Sequence, residues 1–283
     1  MEPNYQNNYN NMQGNEQNGY PQNQYQQNGN PQNVNPYAYQ QNFNGFNRGG
    51  SFSAGVGNVS DAFSEAREAM KQKVVAQSFI FMVAALVITA IGAYVASAAL
   101  ENWLRENSAG LIILFVAEIA VVIASNIALK KNNVVLSSVL LTIYSFVNGA
   151  TLGIVCSIYV QSSVVRVFAI CAVMFLVTAF YGLVTKKDLS SLGSLCIMGL
   201  IGLILVGVVN LFLKSDGLNF LTSIIGVAVF VGLTAYDTRK VKESAAFADE
   251  SNTTALAING AFELYLDFIN LFLYLLRLFG KRR

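Results

Sequence analysis

An apolar run near the end of the chain carries polar residues at a regular spacing. Asn259, Glu263, Asp267, Asn270 and Tyr274 follow one another at steps of 4, 4, 3 and 4 residues. In an α-helix these steps place all five side chains on one face. The carboxyl groups of Glu263 and Asp267 can exchange protons, and their oxygens suit a hard cation such as calcium. The pattern therefore predicts a helix whose polar face meets protein or water rather than lipid.

Three more charged residues, Glu118, Asp237 and Arg277, lie within or at the ends of apolar runs. A charge at the bilayer centre costs about 2.5–3.5 kcal/mol on the insertion scale, so such residues usually face the protein interior or water. Two carboxylates held together cannot easily both ionise, and such a pair responds to protons. Glu118 and Arg277 have opposite charges and could form a gate or a brace. For each acid the alternative is a structural role as a protonated or hydrogen-bonded packing residue.

Seven apolar segments are long enough to position these residues in a membrane, since a helix crosses the hydrocarbon layer with about 20 residues. Short polar links separate the segments, so consecutive helices should be neighbours. The polar stripe on the last segment requires other helices around it. The sequence therefore predicts an all-α membrane protein with seven transmembrane helices, the last of them central, within residues 76–280. The segments are 76–100, 109–129, 134–159, 164–184, 193–213, 218–237 and 254–279.

Lysine and arginine at the ends of the segments predict that the N-terminus is cytoplasmic, because short cytoplasmic links are enriched in these residues. The basic tail 281–283 opposes this rule, since seven spans place it outside. A six-span chain with a re-entrant last segment would keep that tail inside, but the last run is long enough to cross. Ten cations lie in the inner segments: Arg67, Lys71, Lys73, Lys130, Lys131, Lys186, Lys187, Arg239, Lys240 and Lys242. The three outer ones are Arg105, Arg166 and Lys214.

The N-terminal residues have a different composition. Half of the first fifty residues are Asn or Gln, and all four prolines lie within the first 36 residues. Residues 1–57 are therefore predicted to be a disordered tether, or a sticky arm that binds protein partners. Residues 58–75 contain the sequence "SDAFSEAREAMKQKVV" and are predicted to form a short amphipathic helix that leads into the membrane.

Composition also excludes classes of function. The chain has no histidine, which rules out histidine-dependent nucleophilic catalysis and histidine-ligated metals. A net charge of +2 does not indicate nucleic-acid binding. Neither a cofactor nor an enzyme activity is expected. An intramembrane aspartyl protease would need a Gly-x-Gly turn before its second aspartate, and "LYL" precedes Asp267. Gly149 and Gly153 form a small-xxx-small pair that allows close helix packing.

Several segments together resemble the Bax inhibitor-1 (transmembrane BAX inhibitor motif) family over about residues 76–280. The similar segments are "NGATLG" at 148–153, "YGLVTKKDLSSLG" at 181–193, "MGLIGLI" at 198–204, "GLTAYDTRKVKE" at 232–243 and "LYLDFINLFLYLLRLFG" at 264–280. The resemblance implies seven helices and a pH-sensitive calcium leak. It also implies that Asp237 and Asp267 sense protons and contact calcium transiently, and that Glu118 and Arg277 match family positions. The family's second-helix arginine has no clear counterpart, and Glu263 lies outside the matched motif.

The function expected from residues and resemblance together is a pH-regulated calcium (cation) leak channel. Its partners would be calcium, protons and the lipid bilayer. Glu263, Asn259 and Asn270 would be additional contacts along the cation path. The alternatives are a proton-coupled cation exchanger that uses the same residues, and a membrane-embedded regulator of stress or cell survival that acts through protein partners. A bacterial inner membrane is favoured over a eukaryotic endomembrane.

Overall fold

Long helices form nearly all of the chain that the structure describes. The computed structural model describes residues 53–99, 120, 121, 124, 134–249 and 251–283. The all-α prediction is confirmed for these residues. A 3₁₀ turn, Ala245–Phe247, follows the fifth helix. The helices are α1 (Ser53–Ala99), α2 (Val134–Ser157), α3 (Gln161–Val184), α4 (Ser190–Leu213), α5 (Asp216–Ser244) and α6 (Thr253–Phe279).

Five of these helices, α1 to α5, are long and apolar enough to cross a membrane. Apolar side chains that a soluble protein would bury are exposed on their outer faces, for example Phe180 on α3 and Phe212 on α4. Such a belt of exposed apolar surface is what lipid tails contact. The sixth helix, α6, is not among the five.

Close contacts between α1 and α2 show how these two helices run. A Cβ atom at Gly149 would lie 2.3 Å from the Thr89 carbonyl oxygen, and one at Gly153 would lie 2.6 Å from the Ala93 oxygen. The two helices are therefore parallel, and the prediction of close packing through this glycine pair is confirmed. Ala99 and Val134 consequently lie at opposite ends of the bundle. The predicted second span, 109–129, with Glu118, lies outside the described residues apart from 120, 121 and 124.

The helix bounds differ from the apolar segments in two places. The predicted surface helix and first span are parts of a single helix, α1, which runs without a break from Ser53 to Ala99. The predicted sixth span, 218–237, is part of a longer helix, because α5 continues to Ser244. Of the added residues, Thr238 to Ser244, all but Val241 are polar or charged, yet they fit a helix, so the loss of apolar character did not mark the helix end.

The last helix lies inside the bundle. Of its 27 residues, 16 are buried, including Leu264, Tyr265 and Leu271 with no exposed surface. It packs antiparallel to α5 and α3 and parallel to α2, with ring contacts from Phe268 to both Phe168 and Phe175. Because neighbouring helices bury it on several sides, a helix with this many polar residues can be stable within a membrane bundle.

The last helix also crosses the whole bundle. It begins beside the end of α5, where Ala245 and Ala257 are both buried, and it ends beside the start of α3. There the C-terminal residues are held by backbone bonds from Val160 N to the Lys281 oxygen (2.8 Å) and from Arg283 N to the Ile158 oxygen (3.0 Å). A re-entrant α6, which would turn back toward its starting end, is therefore excluded.

Candidate functional site

The predicted aspartate pair comes together where α5 and α6 cross. The Asp237 and Asp267 carboxyl groups lie close enough for the charge of one to act on the other. Asp267 is only 3% exposed, and its Oδ2 has no hydrogen-bond partner among the described residues. The contact exists because α5 continues past Asp237, which places this residue about two turns before the helix end. Two ionised carboxylates held this close repel each other, so the arrangement favours a state in which one of the two groups carries a proton.

Lys240 and Glu263 form an ion pair one turn from the aspartates. Lys240 Nζ lies 2.6 Å from Glu263 Oε1, with the lysine 47% and the glutamate 23% exposed. Glu263, which the sequence leaves open as a cation contact or a packing residue, is thus paired with a cation. From the sequence alone, Lys240 was used only to predict the orientation of the chain in the membrane. The signal for its local role is spacing, because Lys240 lies three residues after Asp237 and shares its helix face.

A second polar cluster, which sequence reasoning missed, joins α6 to α1 and α2. The Tyr265 hydroxyl lies 2.7 Å from Thr89 Oγ1 and donates to Asn148 Oδ1 at 3.3 Å. Thr89 Oγ1 is also 3.0 Å from the carbonyl oxygen of Ser145. Tyr265 is two residues before Asp267, so the two side chains leave the helix on nearly opposite sides at similar depth. Pairs of this kind have no sequence periodicity, which is why only the tertiary structure reveals them.

Replacing Tyr265 with phenylalanine is expected to lower the free energy of unfolding by about 1 kcal/mol, because hydrogen bonds between membrane helices contribute about that much. The ring contacts would survive, so the loss reports the hydroxyl. Thermal unfolding in detergent measures it. Tyr181→Phe is the matched control, since that side chain is 49% exposed on α3. Equal melting temperatures for both variants would show that the buried hydroxyl adds no stability.

The remaining residues of the predicted stripe have separate surroundings. Asn259 is half-buried near the start of α6. Asn270 Nδ2 donates to the Leu266 carbonyl at 2.8 Å. The Tyr274 ring stacks on Phe230 at 5.7 Å between centroids. These positions lie along one side of α6, so the structure confirms that the stripe is a continuous helix face.

Arg277 lies near the end of α6, with its guanidinium 5.2 Å from the centre of the Tyr274 ring. The predicted pair with Glu118 involves a residue outside the described ranges and stays a prediction. Lys130 and Lys131, which follow the predicted second span, also lie outside them. Within the described residues, Lys240 is a cation whose charge acts on both Asp237 and Asp267.

A cavity of about 900 Å³ opens between α2, α5 and α6, at the end of the bundle where α6 finishes. Asn148 and Asn270 are part of its wall, so the cavity reaches both the Tyr265 cluster and the turn of α6 that follows Asp267. Leu152, Phe220 and Leu273 provide apolar surface in the same wall.

The aspartate pair does not resemble a permanent metal centre. No group of three or more histidine, cysteine, aspartate or glutamate side chains converges on one point within the part of the chain that the structure describes. Calcium usually takes six to eight oxygen ligands. Two carboxyl groups can contact such an ion briefly but do not build a full coordination shell.

Comparison with known proteins places the chain in a family. Residues 71–283 match the family model described as inhibitor of apoptosis-promoting Bax1. The chain is 42% identical over 229 residues to the inner membrane protein YbhL of Escherichia coli, an alignment that covers 79% of this chain and 97% of the relative. It is 40% identical over 218 residues to a protein of Borreliella burgdorferi, covering 76% and 94%. This chain is a membrane protein of the Bax inhibitor-1 family.

Proposed function

We propose that the protein is a calcium (cation) leak channel that opens when the Asp237–Asp267 pair loses its shared proton. The observation that carries this proposal is that α5 and α6 bring the two carboxyl groups together, with Asp267 buried. With a proton present the pair holds the two helices together. With both groups ionised, adjacent like charges repel each other and favour separation of the helices. Flux should therefore rise as pH rises.

The surroundings of the pair support a route along α6. Asn270 lies three residues after Asp267, about 4.5 Å along the helix axis, and belongs to the wall of the cavity. On the other side of the pair, the half-exposed Lys240–Glu263 bridge leads toward the end where α6 begins. A cation would pass Asn270, contact the ionised aspartates and leave past this bridge. Asn259 and Glu263 line the second part of the proposed route.

The proposed location is the inner membrane of a bacterium, with a cytoplasmic N-terminus. The name of the Escherichia coli relative supports this membrane. The distribution of lysine and arginine supports the orientation, because Lys186, Lys187, Arg239 and Lys240 all lie at the end where α6 begins. A role in binding protein partners through residues 1–57 is compatible with this location.

Calcium flux through the purified full-length protein in liposomes tests the proposed function. Flux above that of protein-free liposomes should increase between about pH 5 and pH 8. Flux should also grow linearly with calcium concentration and should move no stoichiometric protons. Saturating flux with coupled proton movement would identify an exchanger instead. Flux equal to that of empty liposomes at every pH would refute both transport functions.

A further inference from the structure

The lining of the cavity beside the end of α6 includes charged side chains that have no role in the proposed cation route. Arg277 and Arg282 contribute two positive charges to its lining, and Asp216 contributes one negative charge. One net positive charge remains among these lining groups. Arg277 is 14 residues after Glu263, about 21 Å along the helix, so this cavity is distant from the Lys240 ion pair.

The fold positions both arginines at the cavity. The Arg277 guanidinium lies against the face of the Tyr274 ring, a contact that restrains its plane while the N–H groups at its edge can donate. Arg282 is held beside the cavity, because its backbone pairs with Tyr159 in an antiparallel bridge. Tyr159 itself is 3% exposed and belongs to the same wall.

The rest of the wall is suited to an apolar group. Four apolar side chains from α2, α5 and α6 form part of this wall: Leu152, Val155, Phe220 and Leu273. The volume of about 900 Å³ is at the upper end of the range for small-molecule sites. A site with cations at one end and apolar walls beneath matches an amphiphile with an anionic head. Phe220 belongs to this wall and is 62% exposed, so apolar chains could reach the cavity from lipid.

We propose that this cavity binds a phosphate-class anion through Arg277 and Arg282, and that a phospholipid with one negative charge supplies it. Guanidinium groups match the geometry of phosphate oxygens and form paired hydrogen bonds with them. Two guanidinium groups at one end of the cavity suit the phosphate of a lipid headgroup. The apolar wall favours a lipid over a free ion. The site does not depend on the proposed cation leak and would exist in a protein that transports nothing.

Lipid retention by the full-length protein tests the site. The protein is placed in nanodiscs of phosphatidylcholine with a minor fraction of phosphatidylglycerol, and retained lipids are counted by native mass spectrometry after release. The Arg277→Gln, Arg282→Gln double variant should bind phosphatidylglycerol at least about tenfold more weakly, since charge-assisted hydrogen bonds contribute this much each. The Lys186→Gln, Lys187→Gln variant removes equal charge at the other end and should bind like the wild type.

Two further measurements distinguish loss of the site from a folding defect, and a lipid headgroup from a free phosphate ion. Arg282→Gln alone changes an exposed residue next to the chain end, so the bundle should stay folded while retention falls. It also leaves Arg277 available for its predicted partner Glu118. Equal retention by wild type and both arginine variants would overturn the proposal. Stabilisation by inorganic phosphate in pure phosphatidylcholine, lost in the double variant, would assign the site to a soluble ion and overturn the lipid assignment.

Discussion

Replacing Asp267 with asparagine is expected to abolish the pH dependence of calcium flux and to leave the flux low at every pH. Asparagine has the shape of a protonated aspartate and can still donate a hydrogen bond to Asp237, but it cannot ionise. The contact between α5 and α6 would then persist after Asp237 loses its proton. In the wild type, each pH unit changes the ratio of ionised to neutral carboxyl about tenfold, so the flux should change several-fold across its midpoint.

Liposome flux measured at several pH values provides the comparison, and Asp188→Asn is the matched control. Asp188 lies in the link between α3 and α4, where hydrogen bonds from Ser190 hold the pKa of its carboxyl below the usual value. That group therefore stays ionised between about pH 5 and pH 8, and its loss should leave the pH response unchanged. If Asp267→Asn retained the wild-type pH response, the aspartate pair would not be the proton sensor.

Replacing Gly149 with alanine is expected to lower the free energy of unfolding by about 3 kcal/mol, the upper end of the range for overpacking. The added methyl group would lie 2.3 Å from the Thr89 carbonyl oxygen, which belongs to the backbone and cannot rotate away. Helices α1 and α2 would have to separate, and this separation would also strain the Thr89–Tyr265–Asn148 hydrogen bonds. Thermal unfolding in detergent should show the loss.

Gly207→Ala serves as the matched control for this substitution. Gly207 is also in the middle of a predicted membrane helix, but a Cβ atom there would meet nothing within 4 Å. Alanine favours the helix over glycine by about 0.5–1 kcal/mol, so this variant should be as stable as the wild type or more so. A stable Gly149→Ala variant would mean that the two helices separate at little cost.

The fold class and much of the site were predictable from sequence because they depend on local patterns. A run of about 20 apolar residues has few alternatives to a membrane helix. The spacing from Asn259 to Tyr274 determines a shared helix face without any knowledge of neighbours. Gly149 and Gly153 predicted a close helix contact, and the structure identifies α1 as the helix that approaches them.

Helix ends were less predictable, because a helix can continue beyond the apolar layer. The sequence placed the end of the sixth span at Asp237, and its distance from Asp267 along the two helices appeared too great for contact. Continuation of α5 to Ser244 removes this difficulty. A charged, helix-favouring segment such as "TRKVKES" does not reveal from its composition whether it forms a loop or two further turns.

The sequence by itself determined that this is an all-helical membrane protein with acids on its last helix, since hydrophobic length and helical spacing are properties of single segments. Only the tertiary structure decided which side chains meet. It paired Asp237 with Asp267, Lys240 with Glu263, and Tyr265 with Thr89 and Asn148. Each of these contacts joins different helices, and the relative rotation and depth of packed helices depend on all their side chains together.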